Sequence, residues 1–152
     1  MYANKTCLGW REWVSLSTWK INKIKAKLDS GAKTSALHAE DVEIYRSRGR
    51  SKVRFTVFPL QKNKRRSRKI TAELVELRKV RSSDGVVTER PVVSTDLCIG
   101  DEIWPIEITL VNRDIMGFRM LIGRAALKHR AVIDPGRSYL AKKRTLSLIE
   151  LL

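Results

Sequence analysis

Asp29, Ser30 and Gly31 form a tripeptide whose residue types are suited to acid–base chemistry. Two carboxylates that share one proton can hydrolyse a peptide bond. Like charges about 3 Å apart cannot both ionise, so one carboxylate activates water while the other donates a proton. Ser30 offers a hydroxyl that can bond to backbone, and Gly31 lacks a Cβ, so two such loops can approach closely. The motif occurs once in the chain, so the second carboxylate that this chemistry needs must come from elsewhere. The alternative is that the tripeptide is an ordinary turn sequence.

A half-buried strand leads into this tripeptide. Apolar residues at positions 24, 26 and 28 alternate with lysines at 23, 25 and 27, which predicts a strand with one buried and one wet face. About ninety residues later the chain has a hydrophobic-hydrophobic-Gly segment, Leu121-Ile122-Gly123, followed by Arg124. Such a segment can pack beneath the Asp29 loop, which would place the carboxylate at the floor of a cleft.

Short alternating runs dominate the rest of the chain. Asp84-Gly85 between two such runs is a strong hairpin signal. Asp134-Pro135-Gly136 predicts a turn; the alternative is that Asp134 is a second catalytic carboxylate. Helical crossovers are missing, so we expect a single all-β domain over residues 1–152, closed like a barrel, with one short helix. The predicted strands are residues 10–19, 24–28, 53–58, 70–80, 86–93, 103–111, 131–133 and 138–140, and the helix is residues 124–129.

The charge of the chain is strongly and unevenly positive. Thirty-one Lys and Arg face 16 Asp and Glu, which gives a net charge of +15. No acid lies between Glu43 and Glu73, a region that we call the basic segment. Its cations are Arg46, Arg48, Arg50, Lys52, Arg54, Lys62, Lys64, Arg65, Arg66, Arg68 and Lys69. Such a segment attracts nucleic acid, acidic peptide or anionic lipid; the alternative is a solvated loop without a partner.

Metal and nucleotide chemistry have little support in the sequence. The candidate ligands His38, His129, Cys7 and Cys98 form no H-E-x-x-H motif, and no G-x-x-x-x-G-K-[ST] loop is present. We therefore expect no metal and no cofactor.

No apolar run of 18 residues exists, so no membrane span is expected. The two thiols and the lack of an apolar signal core favour the cytoplasm, with a periplasmic or secreted location left open if a signal has been removed.

The order of these parts resembles one lobe of the retropepsin-like aspartic peptidases, over about residues 12–142. Within that superfamily the chain is similar to a bacterial group called ATP-dependent zinc proteases. Its members carry a stretch like Asp-Ser-Gly-Ala-Lys-Thr-Ser-Ala-Leu-His-Ala, here residues 29–39, then a Gly-Arg and an Asp-Pro, here Gly123-Arg124 and Asp134-Pro135. This chain has neither a nucleotide-binding loop nor a zinc-ligand motif, so its sequence supports neither the ATP dependence nor the zinc that the group's name states. Some members sit beside ATP-grasp glutamate ligases, which implies a link to glutamate-tail modification.

The resemblance implies an aspartic endopeptidase that works as a homodimer, with Asp29 of each chain as the catalytic pair. A glutamate-rich peptide is one candidate substrate. The resemblance also implies that Ser30, Gly31 and Ala32 support the catalytic loop, and that residues 75–93 form a hairpin flap over the cleft. Substrate binding is assigned to Lys33 and Thr34, which can instead be a plain loop exit, and to the flap tip Ser82, Ser83, Asp84 and Gly85. Structural support is assigned to Leu121, Ile122, Gly123 and Arg124.

Position 33 departs from the viral pattern. Viral members of the superfamily place an acid two residues after the glycine, where it can pair with the arginine of the hydrophobic-Gly segment, whereas this chain has Lys33. Lys33 and Arg124 are therefore expected to repel each other near the dimer interface.

Two other functions stay open on the sequence alone. The peptidase fold can act only as a scaffold that binds RNA or the ribosome through the basic segment. Alternatively, the chain can be a regulatory module associated with a glutamate ligase, because fold does not settle function.

Overall fold

The computed structural model describes residues 4–60, 66–112 and 117–141. Within these ranges almost every element is a strand, so the predicted all-β class is confirmed. The strands are β1 (Thr6–Gly9), β2 (Arg11–Leu16), β3 (Ile21–Asp29), β4 (Ser35–His38), β5 (Glu40–Ser47), β6 (Arg50–Val57), β7 (Arg68–Glu73), β8 (Glu76–Arg81), β9 (Val87–Ile99), β10 (Glu102–Val111), β11 (Met120–Gly123) and β12 (Ala131–Asp134). A 3₁₀ turn spans Ser17–Trp19, and the short helix α1 spans Arg124–Leu127.

Six strands close into a ring around the hydrophobic core. Their order is β10, β4, β11, β3, β2 and β9, and β9 pairs back onto β10, so the sheet closes on itself. β8 lies outside the ring as the hairpin partner of β9. The core inside the ring is mainly aliphatic; its largest fully buried side chains include Leu8, Leu16, Ile24, Leu37, Leu97, Ile99, Ile108, Met120 and Ile122.

The alternation of residues in β3 determines which face of this strand is buried. Ile24, Ala26 and Leu28 are buried, while the intervening lysines lie on the outer side. Burial of each large aliphatic side chain contributes about 1.5–3 kcal/mol, and a slip by one residue would turn all of them outward. β3 lies between β2, to which it is antiparallel, and β11, to which it is parallel. The strand that carries Asp29 is therefore central and firmly registered.

A second, three-stranded antiparallel sheet contains β5, β6 and β7. Its inner side chains are buried against the main core, and Phe55 packs edge-on against Trp19 with 5.4 Å between ring centroids. This sheet carries most of the basic segment. Lys62, Lys64 and Arg65 lie outside the described residues.

The structure corrects the sequence prediction around residues 70–80. These residues are not one strand, because β7 ends at Glu73 and β8 begins at Glu76. Between them the Leu74 N–H donates to the Ser51 carbonyl at 3.0 Å, and the Val75 N–H donates to the Val92 carbonyl at 2.8 Å. The chain therefore changes from the second sheet to the main sheet at this point. The strand expected at residues 10–19 also ends early, at Leu16, where the 3₁₀ turn begins.

The C-terminal part of the described chain, residues 137–141, runs beside β2 without forming the strand predicted at 138–140. The Trp10 N–H donates to the Arg137 carbonyl at 2.9 Å, and the Tyr139 N–H donates to the Arg11 carbonyl at 3.0 Å. These two bonds fasten the segment to the start of β2, although the pairing is too short for a regular ladder.

A buried carboxylate reinforces this attachment. Glu12 is fully buried and accepts hydrogen bonds from the amides of Gly9 at 2.6 Å, Leu140 at 2.9 Å and Ala141 at 3.0 Å. Three backbone donors thus satisfy one buried charge. Glu12 therefore joins the end of β1 and the start of β2 to the C-terminal segment.

We expect Glu12→Ala to lower the free energy of unfolding by about 3 kcal/mol or more, since it leaves three backbone amides without their acceptor. Urea denaturation measures this loss. Glu12→Gln keeps one acceptor oxygen and should lose less, and Glu89→Ala, at an exposed position of β9, should change little. Equal stabilities for Glu12→Ala and Glu89→Ala would contradict the anchoring role.

Candidate active site

Asp29 is the last residue of β3 and lies level with Gly123 of β11, the parallel neighbour strand. Its Oδ1 accepts a hydrogen bond from the Gly31 N–H at 2.9 Å, and the Asp29 carbonyl accepts one from the Ala32 N–H at 3.2 Å. The carboxylate is partly exposed. A short turn thus holds one oxygen of a solvent-accessible carboxylate at the end of a rigid strand.

The loop after Asp29 is joined to the start of α1. The Ala32 carbonyl accepts from the Arg124 N–H at 2.6 Å, and the Lys33 carbonyl accepts from the Ala125 N–H at 3.0 Å. The first turn of a helix has backbone donors without partners inside the helix, and two of these donors bind the loop. The loop and the hydrophobic-Gly segment therefore form one unit.

Gly123 makes this close approach possible. A Cβ at this position would lie 2.6 Å from both the carbonyl carbon and the carbonyl oxygen of Thr34, and 3.0 Å from the Ala32 oxygen. The Gly123 N–H donates to the buried Ser35 hydroxyl at 3.0 Å. At Gly31 a Cβ would lie 3.1 Å from Asp29 Oδ1, so a side chain there would crowd the carboxylate.

Arg124 has a different partner from the one that the viral pattern supplies. Its Nη1 donates to the Ser30 carbonyl at 2.8 Å, so the guanidinium binds the Asp29 loop through its backbone. Lys33 is exposed and contributes its carbonyl to α1. The repulsion expected between Lys33 and Arg124 concerns a dimer interface and stays a prediction.

The residues assigned to structural support lie on β11, the strand beside β3, and at the start of α1. Leu121 and Ile122 are both buried, and Ile122 is level with Leu28 in the parallel pairing of β11 with β3. The structure therefore brings residues 29–35 and 121–125 together.

The residues Ser82, Ser83, Asp84 and Gly85 lie in the turn of the β8–β9 hairpin, away from this unit in the strand order. The Gly85 N–H donates to the Ser82 carbonyl at 2.9 Å, with Gly85 at a φ of 85°, and the Ser82 hydroxyl contacts the Asp84 carboxylate. The polar turn thus satisfies many of its own groups. Its contact with a substrate stays a prediction.

Arg78 joins β8, at the end of this hairpin far from its turn, to β10. Its guanidinium donates to Glu76 at 2.6 Å and, across to β10, to Glu107 at 2.8 Å. The hydrogen bond to Glu107, followed by the one to Glu76, raises the pKa of Arg78 above its usual value. The hairpin is therefore fastened to the main sheet while its tip stays exposed.

Two further polar residues of β4 had two interpretations each on the sequence: Ser35 as a substrate contact or a loop exit, and His38 as a cleft residue or one packed behind the loop. Ser35 is buried and accepts from Gly123 while its carbonyl accepts from the Thr109 hydroxyl at 2.9 Å. His38 is buried at the other end of β4, with Nε2 3.1 Å from Glu40. The contacts of Ser35 could not be predicted from spacing, because its partners lie 74 and 88 residues away.

The turn at Asp134 forms as predicted. Asp134 Oδ1 accepts from the Gly136 N–H at 3.0 Å, which is a typical Asx turn. No cluster of three or more His, Cys, Asp and Glu side chains suited to a metal occurs in ranges 4–60, 66–112 and 117–141. Within the same ranges no helix is long and apolar enough to cross a bilayer.

A closed all-β ring with an Asp-Ser-Gly loop seated on a buried hydrophobic-Gly strand defines the retropepsin-like class of fold. Residues 7–144 match the RimB-like family, described as "Retropepsin-like aspartic endopeptidase RimB". The chain belongs to this family, in agreement with the resemblance found in the sequence.

Similar proteins include much longer chains. A probable alpha-L-glutamate ligase of Shewanella halifaxensis is 34% identical over 139 residues, which cover 91% of this chain and 30% of the relative. Another, of Desulfotalea psychrophila, is 40% identical over 131 residues, covering 86% of this chain and 28% of the relative. The chain thus spans less than a third of these curated relatives.

A solved structure extends the likeness to the whole of another chain. The Legionella pneumophila protein Lpg0085, of unknown function, has a TM-score of 0.74 and 29% identity over 90% of this chain and 98% of that chain. The fold is therefore shared with a solved chain that the match covers almost completely.

Proposed function

We propose that the chain is an aspartic endopeptidase that acts as a homodimer with Asp29 from each copy. The observation that carries this proposal is the pairing of Asp29 with Gly123 in a loop bonded to Arg124. This arrangement holds a partly exposed carboxylate at a strand end with a small residue beside it. Gly31 leaves room for a second loop to approach.

Each chain supplies one such loop, so the catalytic pair needs two copies related by a two-fold axis. Two carboxylates about 3 Å apart share one proton. One of them then accepts a proton from the attacking water, and the other protonates the carbonyl oxygen of the substrate. A net charge of +15 per chain opposes association. Because this repulsion is screened over about 8 Å at physiological salt, dimerisation should strengthen with ionic strength or with an acidic peptide in the cleft.

The proposed substrate is a peptide rich in glutamate. The matching segments of the glutamate ligase relatives support this choice, as does the excess of cations in the second sheet. Part of that charge is balanced, because Arg50 pairs with Glu73 at 2.7 Å and Arg54 with Glu43 at 3.3 Å. The exposed cations at positions 66, 68 and 69 lie in the acid-free stretch between Glu43 and Glu73 and are the better candidates for steering a substrate.

Arg66→Gln with Arg68→Gln should lower kcat/KM for a glutamate-tailed peptide by about tenfold at low salt, because charge complementarity raises the rate of encounter. Hydrolysis followed by mass spectrometry measures this change. The matched control, Lys20→Gln with Lys128→Gln, removes two exposed cations elsewhere and should have little effect. A glutamine-tailed peptide should be insensitive to both variants, and equal sensitivity of the two peptides would contradict the steering role.

A regulatory module of a glutamate ligase is the second candidate, favoured by the names of the relatives. The same peptide assay separates the two functions. An endopeptidase releases fragments in the absence of any ligase, whereas a regulatory module cleaves nothing and changes the rate of glutamate addition when a ligase is present. Binding of RNA or the ribosome through the basic segment is a third outcome, with no cleavage and no effect on ligation.

A further inference from the structure

The outer side of β2 and β3, together with the adjacent residues 137–141, carries two aromatic rings with cations around them. We call it the aromatic-basic face and define it by Arg11, Trp13, Lys23, Lys25 and Tyr139. We propose that this face binds single-stranded nucleic acid. It lies on a different sheet from the basic segment and does not depend on the proposed peptidase activity.

Two rings form the apolar part of the face. The Trp13 side of β2 is open to solvent, with 39% of the residue exposed. Its ring is nearly parallel to that of Tyr139, with 6.0 Å between centroids and 15° between planes. The hydrogen bond of the Tyr139 N–H to Arg11 holds this pair in place. Such a pair offers a surface on which a base can stack.

Cations surround these rings. Lys23 Nζ lies 4.3 Å from the Trp13 centroid and Lys25 Nζ 5.9 Å from it, while the Arg11 guanidinium lies 5.1 Å from the Tyr139 centroid. Lys27 is level with Arg11 in the β2–β3 pairing. The lysines recur at every second residue of β3, about 6.7 Å apart, a repeat that an extended phosphate backbone can follow.

Acidic side chains are nearly excluded from this face. In β2, β3 and residues 137–141 the acids are Glu12 and Asp29. Glu12 is fully buried and bonded to three amides, so its charge is turned away from the face. Asp29 lies at the far end of β3. Within these segments the charged side chains on the outer side next to Trp13 are therefore cations.

The combination favours single-stranded nucleic acid over other polyanions. An acidic peptide would use the cations but has no bases to stack on Trp13 and Tyr139. A duplex keeps its bases stacked on each other and offers mainly phosphates. The Lys23 ammonium, on a flexible four-carbon stem, can move from the Trp13 ring to a phosphate when a base takes its place.

Binding of a labelled oligo(dT) of about twelve nucleotides, followed by fluorescence anisotropy at low salt, tests the proposal. Trp13→Leu should weaken binding by about tenfold or more, the scale of one lost base-stacking contact. Lys23→Gln with Lys25→Gln should weaken binding and reduce the slope of log K against log salt by about 1.4, since each phosphate contact on a single strand contributes about 0.7. The control, Lys79→Gln with Arg81→Gln, removes two exposed cations of β8 and should leave both affinity and slope unchanged.

Two further probes make the outcome specific. The duplex of the same length should bind more weakly and should not respond to Trp13→Leu, and a polyglutamate peptide of the same length should likewise be insensitive to it. If oligo(dT) binding is unaffected by Trp13→Leu, or if polyglutamate depends on Trp13 as strongly as oligo(dT) does, the face is not a single-strand site. If Trp13→Leu fails to fold, the lysine pair and its β8 control decide: equal affinities and slopes for these two variants would overturn the proposal.

Discussion

Asp29→Asn should abolish peptide hydrolysis, with a loss of about 10³-fold or more. An amide cannot share a proton with the Asp29 of the partner copy or activate water. Its oxygen can still accept the hydrogen bond from the Gly31 N–H that the carboxylate accepts at 2.9 Å, so the loop and the fold should be retained. The measurement is the rate of cleavage of a glutamate-tailed peptide, together with a thermal melt of each variant.

Asp134→Asn is the matched control for this change. Asp134 Oδ1 bonds to the Gly136 amide within its own turn, and an asparagine can make the same contact, so hydrolysis should continue at the wild-type rate. A chelator should likewise have no effect, because the expected mechanism uses no metal. Cleavage that survives Asp29→Asn, or that stops with a chelator, would rule out the carboxylate pair.

Gly123→Ala should destabilise the chain by about 3 kcal/mol and remove activity with it. The added methyl group would lie 2.6 Å from two backbone atoms of Thr34, which cannot move without pulling the Asp29 loop away from α1. Urea denaturation gives the loss of stability, and the peptide assay gives the loss of activity.

Gly136→Ala provides the comparison for this prediction. A Cβ at Gly136 would lie 3.5 Å from Asp134 Oδ1, an ordinary contact, so the substitution should change stability little. If Gly123→Ala is as stable as Gly136→Ala and cleaves normally, close packing of β11 against the loop is not what positions Asp29.

The strand before Asp29 and the hydrophobic-Gly segment could be predicted because both have strong local patterns. Alternation fixed the buried face of β3, and the Asp-Ser-Gly and Leu-Ile-Gly-Arg motifs identified the two strands that meet at the site. β5 was not predicted. It is an edge strand exposed over most of its length. Val42 and Ile44 alternate with acids in the sequence but are open to solvent, so this pattern does not mark a buried face.

Contacts that depend on distant parts of the chain could not be predicted. Glu12 reads as a surface acid in a strand pattern, yet its amide partners Leu140 and Ala141 lie 128 and 129 residues away. The Arg124 guanidinium likewise binds the Ser30 carbonyl, 94 residues earlier in the chain. In both cases the partner is a backbone group, which any residue type can supply, so no motif marks it.

Mixing wild-type chain with Asp29→Asn chain tests most directly whether two copies share one site. If each site needs Asp29 from both copies, a mixed dimer is inactive, and the active fraction of dimers is the square of the wild-type fraction. With a fixed amount of wild type and about a ninefold excess of the variant, refolded together to allow exchange, about one dimer in a hundred is then active and the activity per wild-type chain falls about tenfold. The account predicts this quadratic loss, and activity that stays proportional to the amount of wild-type chain, whatever the excess of variant, would contradict it.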